Sequence, residues 1–405
     1  MLIYEYKLDA NKKQIQAIDT ALRVVQFIRN KCIRLWMDER VVSQNDLQVY
    51  CSTLASQYDF AKCLNSQASA DRAWFSIQRF YDNCKNKQPG KKGYPKFQHD
   101  NRSVEYKQTG WRLESDGKHI EFSDHCGIGR VRLIGCRDLA TFPLPQIRRV
   151  RIVRRADGYY CQFGVNAHRE IQHVPTTGRL LGIDMGLNAY YTDSEGNTVA
   201  NPRYLRKAEK RLKRLARIHS KCAKKSKNRI KAQKKLAKMH LKVQRQREDF
   251  ARKAANALIT SSDVIAYEKL SIRNVVKNHH LAKSMSDASW GKFLSWVNYY
   301  GGIHNVPVIA VAPNFTSQDC SACGTRVKKS LSVRTHVCHN CGMVLDRDHN
   351  AAVNILDKGL MVLSGRQEPV GHAAHETLLD RCASTPVSKG TTGKRSGGKK
   401  NPPSL

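Results

Sequence analysis

The sequence predicts a mixed α/β protein of two main regions: a β-barrel-like unit interrupted by helices, then an α/β unit interrupted by a cysteine-rich insert. Three observations predict it. Period-two alternation appears at the start and recurs between residues 100 and 175. Beyond residue 176, buried-type strands alternate with helical segments. Two C-x-x-C-G pairs stand close together between Cys320 and Gly342. A chain of 405 residues is long enough for two or three domains.

In chain order, residues 2–8 alternate like a short strand. From Asn11 to about Trp36, Ile15, Ile18, Leu22, Val25, Ile28, Cys32 and Leu35 recur at three-and-four spacing, which predicts a helix. Helical pattern continues from about Asn45 to Lys85 and stops at QPGKKGYPKF, where Gly and Pro interrupt it. Strands follow at HIEF near Ile120, RVRLIG near Val131 and IRRVRIVRR, the last joined through Ala156-Asp157-Gly158 to YYCQFGV as a hairpin. After the polar HVPTTGR, LLGID reads as a buried strand and Ala189–Ala200 as a hairpin around Ser194-Glu195-Gly196. Pro202 to about Leu258 is helical and basic, with Glu209, Glu248 and Asp249 its only acids. Then come a strand (DVIAYEKL), a helix around Trp290–Tyr300, a strand (VPVIAVAP), the cysteine-rich insert and a helix (NAAVNILDKGL). That order resembles an RNase H-like α/β layout. Residues 362–405, rich in Gly, Ser, Thr and Lys, read as a disordered tail.

Charge narrows the partners. Lys and Arg number 70 against 34 Asp and Glu, a formal net charge of +36. Such an excess repels itself unless a polyanion neutralises it; nucleic acid is the commonest, an anionic membrane surface the other. No apolar run of 18 residues occurs, and MLIYEYKLDANKK lacks the apolar core of a signal peptide, so a soluble, cytosolic protein is expected. Nine of the 13 cysteines are scattered, which suits reduced thiols.

The other four cysteines carry chemistry. Cys320, Cys323, Cys338 and Cys341 form two knuckles whose thiolates can close one tetrahedral site. Four soft ligands with no open position point to one structural Zn²⁺. Gly324 and Gly342 suit the positive φ that such turns need. His336 and His339 lie near but are superfluous to a four-cysteine site.

Three acids stand where a hydrolytic site would need them. Asp184 ends the apolar run LLGID, Glu268 follows VIAY, and Asp348 starts the last helical pattern. An acid inside an apolar strand is costly unless it is paired or binds metal. Phosphodiester hydrolysis by two Mg²⁺ requires carboxylates converging on ions about 4 Å apart. The plainer alternative is that Asp184 and Glu268 cap strands or pair with nearby cations. Asp346 rivals Asp348 as the third acid, because both flank Arg347; Asp346 could serve as the helix N-cap instead.

Taken together, GIDMG at 182–186, YEKL at 267–270, NFTSQDCSACG at 314–324, HVCHNCG at 336–342 and DRDHNAAVNIL at 346–356 resemble the signatures of TnpB proteins, transposon-encoded relatives of type V CRISPR effectors. The match covers roughly 180–356 and extends more loosely to 226–243 and to GYPKFQ at 93–98. The resemblance implies a RuvC-like nuclease domain (176–314 and 343–361, with basic helices at 202–258) holding a zinc ribbon at 315–342. It further implies a wedge domain at 1–10 and 100–175 with a helical recognition insertion at 11–99. The family's three acids match Asp184, Glu268 and Asp348, and its zinc ligands match the four cysteines. The implied activity is RNA-guided cleavage of double-stranded DNA beside a short transposon-associated motif. The guide RNA would come from the transposon end, and the setting would be a prokaryotic cytosol.

Within that frame the basic segment 203–256 reads as a bed for a guide–target duplex, held by phosphates and shape. The alternating Arg of IRRVRIVRR would add a phosphate-binding stripe. Trp74 and Phe75 read as core, whereas Gln78, Arg79 and Gln108 are candidate readers of base edges. Three rival functions remain: a CRISPR effector with array-derived guides, a catalytically silent RNA-guided repressor, and an RNA-independent transposase.

Overall fold

The computed structural model describes residues 2–62, 66–167, 171, 175–270, 279–330 and 332–365. The expected tail from residue 366 onward, and Cys63, lie outside them; the last helix runs through Leu363. The chain divides into two compact units, residues 1–170 with 211–242 and residues 171–210 with 243–405, so the boundary falls inside the basic helices.

The first unit holds an antiparallel sheet and three helices from residues 1–170, together with residues 211–242 of the basic helices. Its strands are β1 (Leu2–Asp9), β2 (Ser103–Tyr106), β3 (Trp111–Leu113), β4 (His119–Phe122), β5 (Gly129–Ile134), β6 (Ile147–Arg155) and β7 (Gly158–Val165). The order β2-β6-β7-β1-β5-β4-β3 places β1 in the middle, bonded to β7 on one side and β5 on the other, with β2 and β3 at the two ends. The β6–β7 register pairs Arg155 with Gly158, so Ala156 and Asp157 make the turn and Gly158 closes it at φ 143°. Tyr6, Val104, Tyr106, Phe122 and Phe163 fill the interior together with Ile18 and Leu22 of the first helix.

That helix, α1 (Lys12–Glu39), starts at a capping box in which Asn11 and Gln14 satisfy each other's backbone N–H groups. The continuous helical pattern expected over 45–85 is two helices, α2 (Gln44–Gln57) and α3 (Ser66–Lys85). The break comes at Tyr58, whose extended backbone (φ −133°, ψ 110°) cannot continue α2. Trp36 is fully buried among the three helices and donates its indole N–H to the Tyr81 hydroxyl at 2.8 Å.

The second unit contains β8 (Leu180–Asp184), β9 (Ala189–Asp193), β10 (Thr198–Ala200), β11 (Val264–Glu268) and β12 (Val308–Val311). Their order is β10-β9-β8-β11-β12; β8, β11 and β12 run parallel, and the β9–β10 hairpin pairs antiparallel with β8. The basic segment forms α4 (Tyr204–Lys221) and α5 (Lys227–Thr260), followed by α6 (His279–Ala288) and α7 (Trp290–His304). Phe293 of α7 stacks on Tyr191, and Tyr267 packs in the same cluster. The cysteine-rich insert folds around the ribbon β13 (Thr335–Val337) and β14 (Val344–Asp346), and α8 (Arg347–Leu363) ends the described chain.

Helix α8 lies directly on β8 and β11 because both contacts use glycine. A Cβ at Gly182 would stand 2.1 Å from the Ala352 carbonyl oxygen, and one at Gly359 would stand 2.5 Å from the Ala266 Cβ. Alternate strand residues share a face, so Asp184 shares the α8 face with Gly182, and Glu268 shares it with Ala266. The parallel register pairs Ile183 with Tyr267, which sets Asp184 and Glu268 level, one step further on. Gly182→Ala should therefore push α8 off the sheet and cost about 3 kcal/mol or more, since backbone and not a flexible side chain is in the way. Denaturant unfolding reads this directly; wild-type stability would mean that α8 does not lie against β8.

Candidate active site

The two cysteine pairs sit on matching turns. The Gly324 N–H donates to the Cys320 carbonyl at 2.8 Å and the Gly342 N–H to the Cys338 carbonyl at 2.9 Å, both glycines at positive φ (75° and 73°). All four sulfurs fall within 4.8 Å of one another, with Cys320–Cys341 at 3.7 Å and Cys323–Cys338 at 3.6 Å. A tetrahedral ion with bonds of about 2.3 Å to sulfur needs sulfurs roughly 3.8 Å apart, so the donor set fits zinc. Hydrogen bonds from Thr325, with Asn340 behind them, pull the Cys323 thiol down to about 5. At Cys341 the Met343 backbone N–H pulls down, yet desolvation and the neighbouring thiols push the group up to about 12. Four converging sulfurs, of which the Cys341 thiol is held back from ionising by its neighbours, are a ligand set suited to a cation. His336 is buried with Nδ1 against Lys329, and His339 is exposed; neither joins the sulfur cluster among the described residues.

The carboxylates meet at the C-terminal ends of β8 and β11, where open α/β sheets bind their ligands. Burial raises the Asp184 carboxyl well above its ordinary value, Glu268 and Asp348 add like-charge repulsion, and Arg347 partly offsets them. Burial also raises Glu268, against the Thr316 hydroxyl that donates to it and the Lys358 charge. Asp348 lies in the first turn of α8 and pairs with Arg347 at 2.9 Å and Arg334 at 3.5 Å. Asp346 is the N-cap of α8, accepting from the Asp348 N–H at 2.8 Å and the His349 N–H at 3.1 Å. The three acids do not draw as close as the four sulfurs.

Sequence reasoning missed the residues that join the two candidate centres. Buried Asn350 donates to the Asp319 carbonyl at 2.8 Å and accepts from the Ser321 N–H at 2.9 Å. Asn354, one turn on, donates to the Thr316 and Asp319 carbonyls, both at 2.7 Å. Together they clamp the loop that carries both Thr316 and the first cysteine knuckle. The available signal was two asparagines four apart inside an apolar helix face, where Asn is a poor helix former without a partner.

The basic surfaces divide in two. The Arg stripe expected on β6 is largely spent inside the protein. Arg149 and Arg151 both pair with Glu105 (3.1 and 2.5 Å), Arg154 with Asp19 and Asp100, and Arg155 with Glu5. Alternation put these side chains on shared faces, but acids of β1, β2 and α1, and Asp100 just before β2, were there to meet them. Residues 211–242, by contrast, form a groove of about 950 Å³ with Leu215, Ile218 and Met239 in its lining and Arg214, Lys235 and Lys238 among its cations. On α3, Phe75 is exposed and not core, as are Gln78 and Arg79 on the same helical face; Trp74 packs partly into the core. Gln108 is exposed and lines a 240 Å³ hollow with Trp111.

The fold and these residues define a mixed α/β protein with a four-cysteine cluster and a carboxylate group, and comparison with known proteins places it further. Residues 162–279 match the OrfB_IS605 family, described as "Probable transposase", and residues 290–355 match the Cas12f1-like TNB domain. A "Putative RNA-guided DNA endonuclease" from Streptomyces pristinaespiralis is 38% identical over 192 residues, 47% of this chain and 48% of that protein. TnpB-like protein L79 of Acanthamoeba polyphaga mimivirus is 30% identical over 141 residues, 33% of this chain and 27% of that protein. The chain thus spans about half or less of these relatives. A solved structure described as a Cas12f1–sgRNA–target DNA complex has a similar fold, with TM-score 0.53 at 12% identity over 85% of this chain and 83% of that one. Within residues 162–355 the chain is related to TnpB proteins, as its motifs lead one to expect.

Two predictions follow from the geometry. The purified protein should contain about one zinc per chain, and Cys323→Ser should lower both bound zinc and solubility, since so small a ribbon takes its folding energy from metal. Elemental analysis that finds no zinc in freshly purified protein overturns this. The second concerns Asp184 in chelator. A carboxyl raised on folding contributes stability below its unfolded value, about 4, and loses that contribution as pH rises through the folded value. Asp184→Asn removes the titration, so the variant should unfold at a higher temperature than wild type at neutral pH, the gap closing on acidification. Parallel melting curves at all pH values would show that Asp184 is not a repelled, buried acid.

Proposed function

We propose that the protein is an RNA-guided DNA endonuclease that cleaves DNA beside a short transposon-associated motif by metal-dependent phosphodiester hydrolysis. The observation that carries this reading is the placing of Asp184 and Glu268 at the ends of neighbouring parallel strands with Asp348 in the field of Asp184, whose carboxyl burial raises and the charges of Glu268 and Asp348 raise further. The kinship over 162–355 with proteins named as RNA-guided DNA endonucleases and TnpB-like supports it.

In this reading the unit of residues 171–210 and 243–365 is a RuvC-type domain. Bound Mg²⁺ ions would supply Lewis acidity at the phosphodiester and a hydroxide-like nucleophile near neutral pH. Asp184, Glu268 and Asp348 are the residues that would hold them. The chain's own task is to keep these acids ionised and oriented. The Thr316 hydroxyl fixes Glu268, Asp346 caps α8 and so aims Asp348, and Arg347 and Arg334 temper the repulsion at Asp348. The cysteine cluster would hold one structural zinc that braces the loop carrying Thr316. The cationic groove of 211–242 would bind a guide–target duplex by its phosphates, which carry no sequence; base pairing would supply the specificity.

Asp184→Ala, Glu268→Ala or Asp348→Ala should each reduce cutting by orders of magnitude while guide and target still bind, and chelation of Mg²⁺ should do the same. Asp346→Ala should weaken the cap by about 1 kcal/mol and lower the rate less. The decisive measurement is plasmid cleavage with two guides and two targets that share the flanking motif. Each guide should direct cutting only to its own target. Equal cutting of both, or cutting without RNA, would favour a transposase or ordinary nuclease, and guided binding without cutting would favour a repressor.

A further inference from the structure

Three residues beyond Asp184 the chain enters the wall of a second cavity, of about 280 Å³, lined by Leu187, Asn188, Asn201, Arg203, Arg206, Lys283, Ser284 and Asp287. We infer that this cavity binds a backbone phosphate of the DNA strand led to the three carboxylates, with Arg206 and Arg203 as its principal ligands. The inference rests on the nuclease reading above.

Charge accounting supports it. Asp287, the one acid in the lining, is already saturated: it accepts from the Leu205 and Arg206 backbone N–H groups at 2.8 and 3.1 Å and from Arg247 at 2.9 and 3.0 Å. Lys283 is neutralised by Glu209. Arg203 and Arg206 are both exposed, and neither guanidinium has a carboxylate partner among the described residues. The cavity therefore keeps a surplus of two positive charges, together with the exposed Asn188 amide. Asn201 holds the frame: its amide donates to the Leu187 carbonyl at 3.1 Å, and its oxygen accepts from the Arg203 N–H at 3.2 Å.

The lining also says what the ligand is not. It contains no aromatic ring and only one apolar side chain, so neither a base nor an apolar group gains from entering. Forked guanidiniums match the paired oxygens of a phosphodiester. Three residues of chain reach roughly 11 Å at most, so the Leu187 wall of the cavity lies within that distance of Asp184. Such a site answers a need of the reaction, because three clustered acids repel the very strand they must receive.

The test uses the full chain loaded with its RNA and a DNA target in which single phosphates near the cut are replaced by neutral methylphosphonates. Wild type should lose about tenfold in rate at one such position. Arg206→Gln should lose about tenfold on ordinary DNA yet show no added loss at that position, because protein and DNA halves of one contact are not additive. Arg203→Gln should behave alike, and Arg206→Lys should recover part of the rate. Losses that multiply at every position, or an Arg206→Gln variant that cuts like wild type, would overturn the phosphate site alone. A wild-type complex that cuts nothing would remove the nuclease reading, and this inference with it.

Discussion

Backbone contact between α8 and the parallel strands is the constraint on which the second unit depends. Gly182 and Gly359 leave no side chain between helix and sheet. That closeness sets the first turn of α8 over the ends of β8 and β11, where Asp348 meets the field of Asp184. The same helix reaches back through Asn350 and Asn354 to clamp the loop from Thr316 to Ser321. One helix thus governs the third acid, the hydroxyl that orients the second acid and the first cysteine knuckle. Damage to the cysteine cluster should be felt at the acids through this loop, whose Thr316 hydroxyl donates to Glu268.

A protein of net charge +36 that gathers three acids in one place must separate its charges with care. The arginines of β6 are absorbed by Glu5, Asp19, Asp100 and Glu105, and so support the sheet. Residues 211–242 face solvent with their cations largely unopposed around an apolar-floored groove. Near the acids the balance is local: Arg347 and Arg334 on Asp348, Lys358 beside Glu268. Each basic region therefore has a different consequence, which a single net charge conceals.

Much of this was legible in the sequence, for a definite reason. Cysteine pairs three apart on glycine turns, an acid closing an apolar run, and an N-cap ahead of a helix are local patterns, and their meaning depends on a few neighbouring residues. The four-cysteine cluster and the α1 helix are of this kind, whereas the level placement of Asp184 and Glu268 rests on the β8–β11 register. Where a reading depended on what lay opposite, it failed: Phe75 faces solvent, the β6 arginines meet acids from three other elements, and Tyr58 breaks a pattern that looked continuous.

Residue types and spacing by themselves thus determined the ligand chemistry, the alternation of strands and helices, and the kinship with TnpB proteins. Tertiary structure alone decided that Asp348 and Glu268 act on Asp184, and that Asn350 and Asn354 clamp the loop of the first cysteine knuckle to α8. The physical reason is range. A cap or a cysteine turn is satisfied within a few residues. The charge felt by a buried acid and the partner of a buried amide come from segments 31 to 164 residues away in the chain, which only folding brings near.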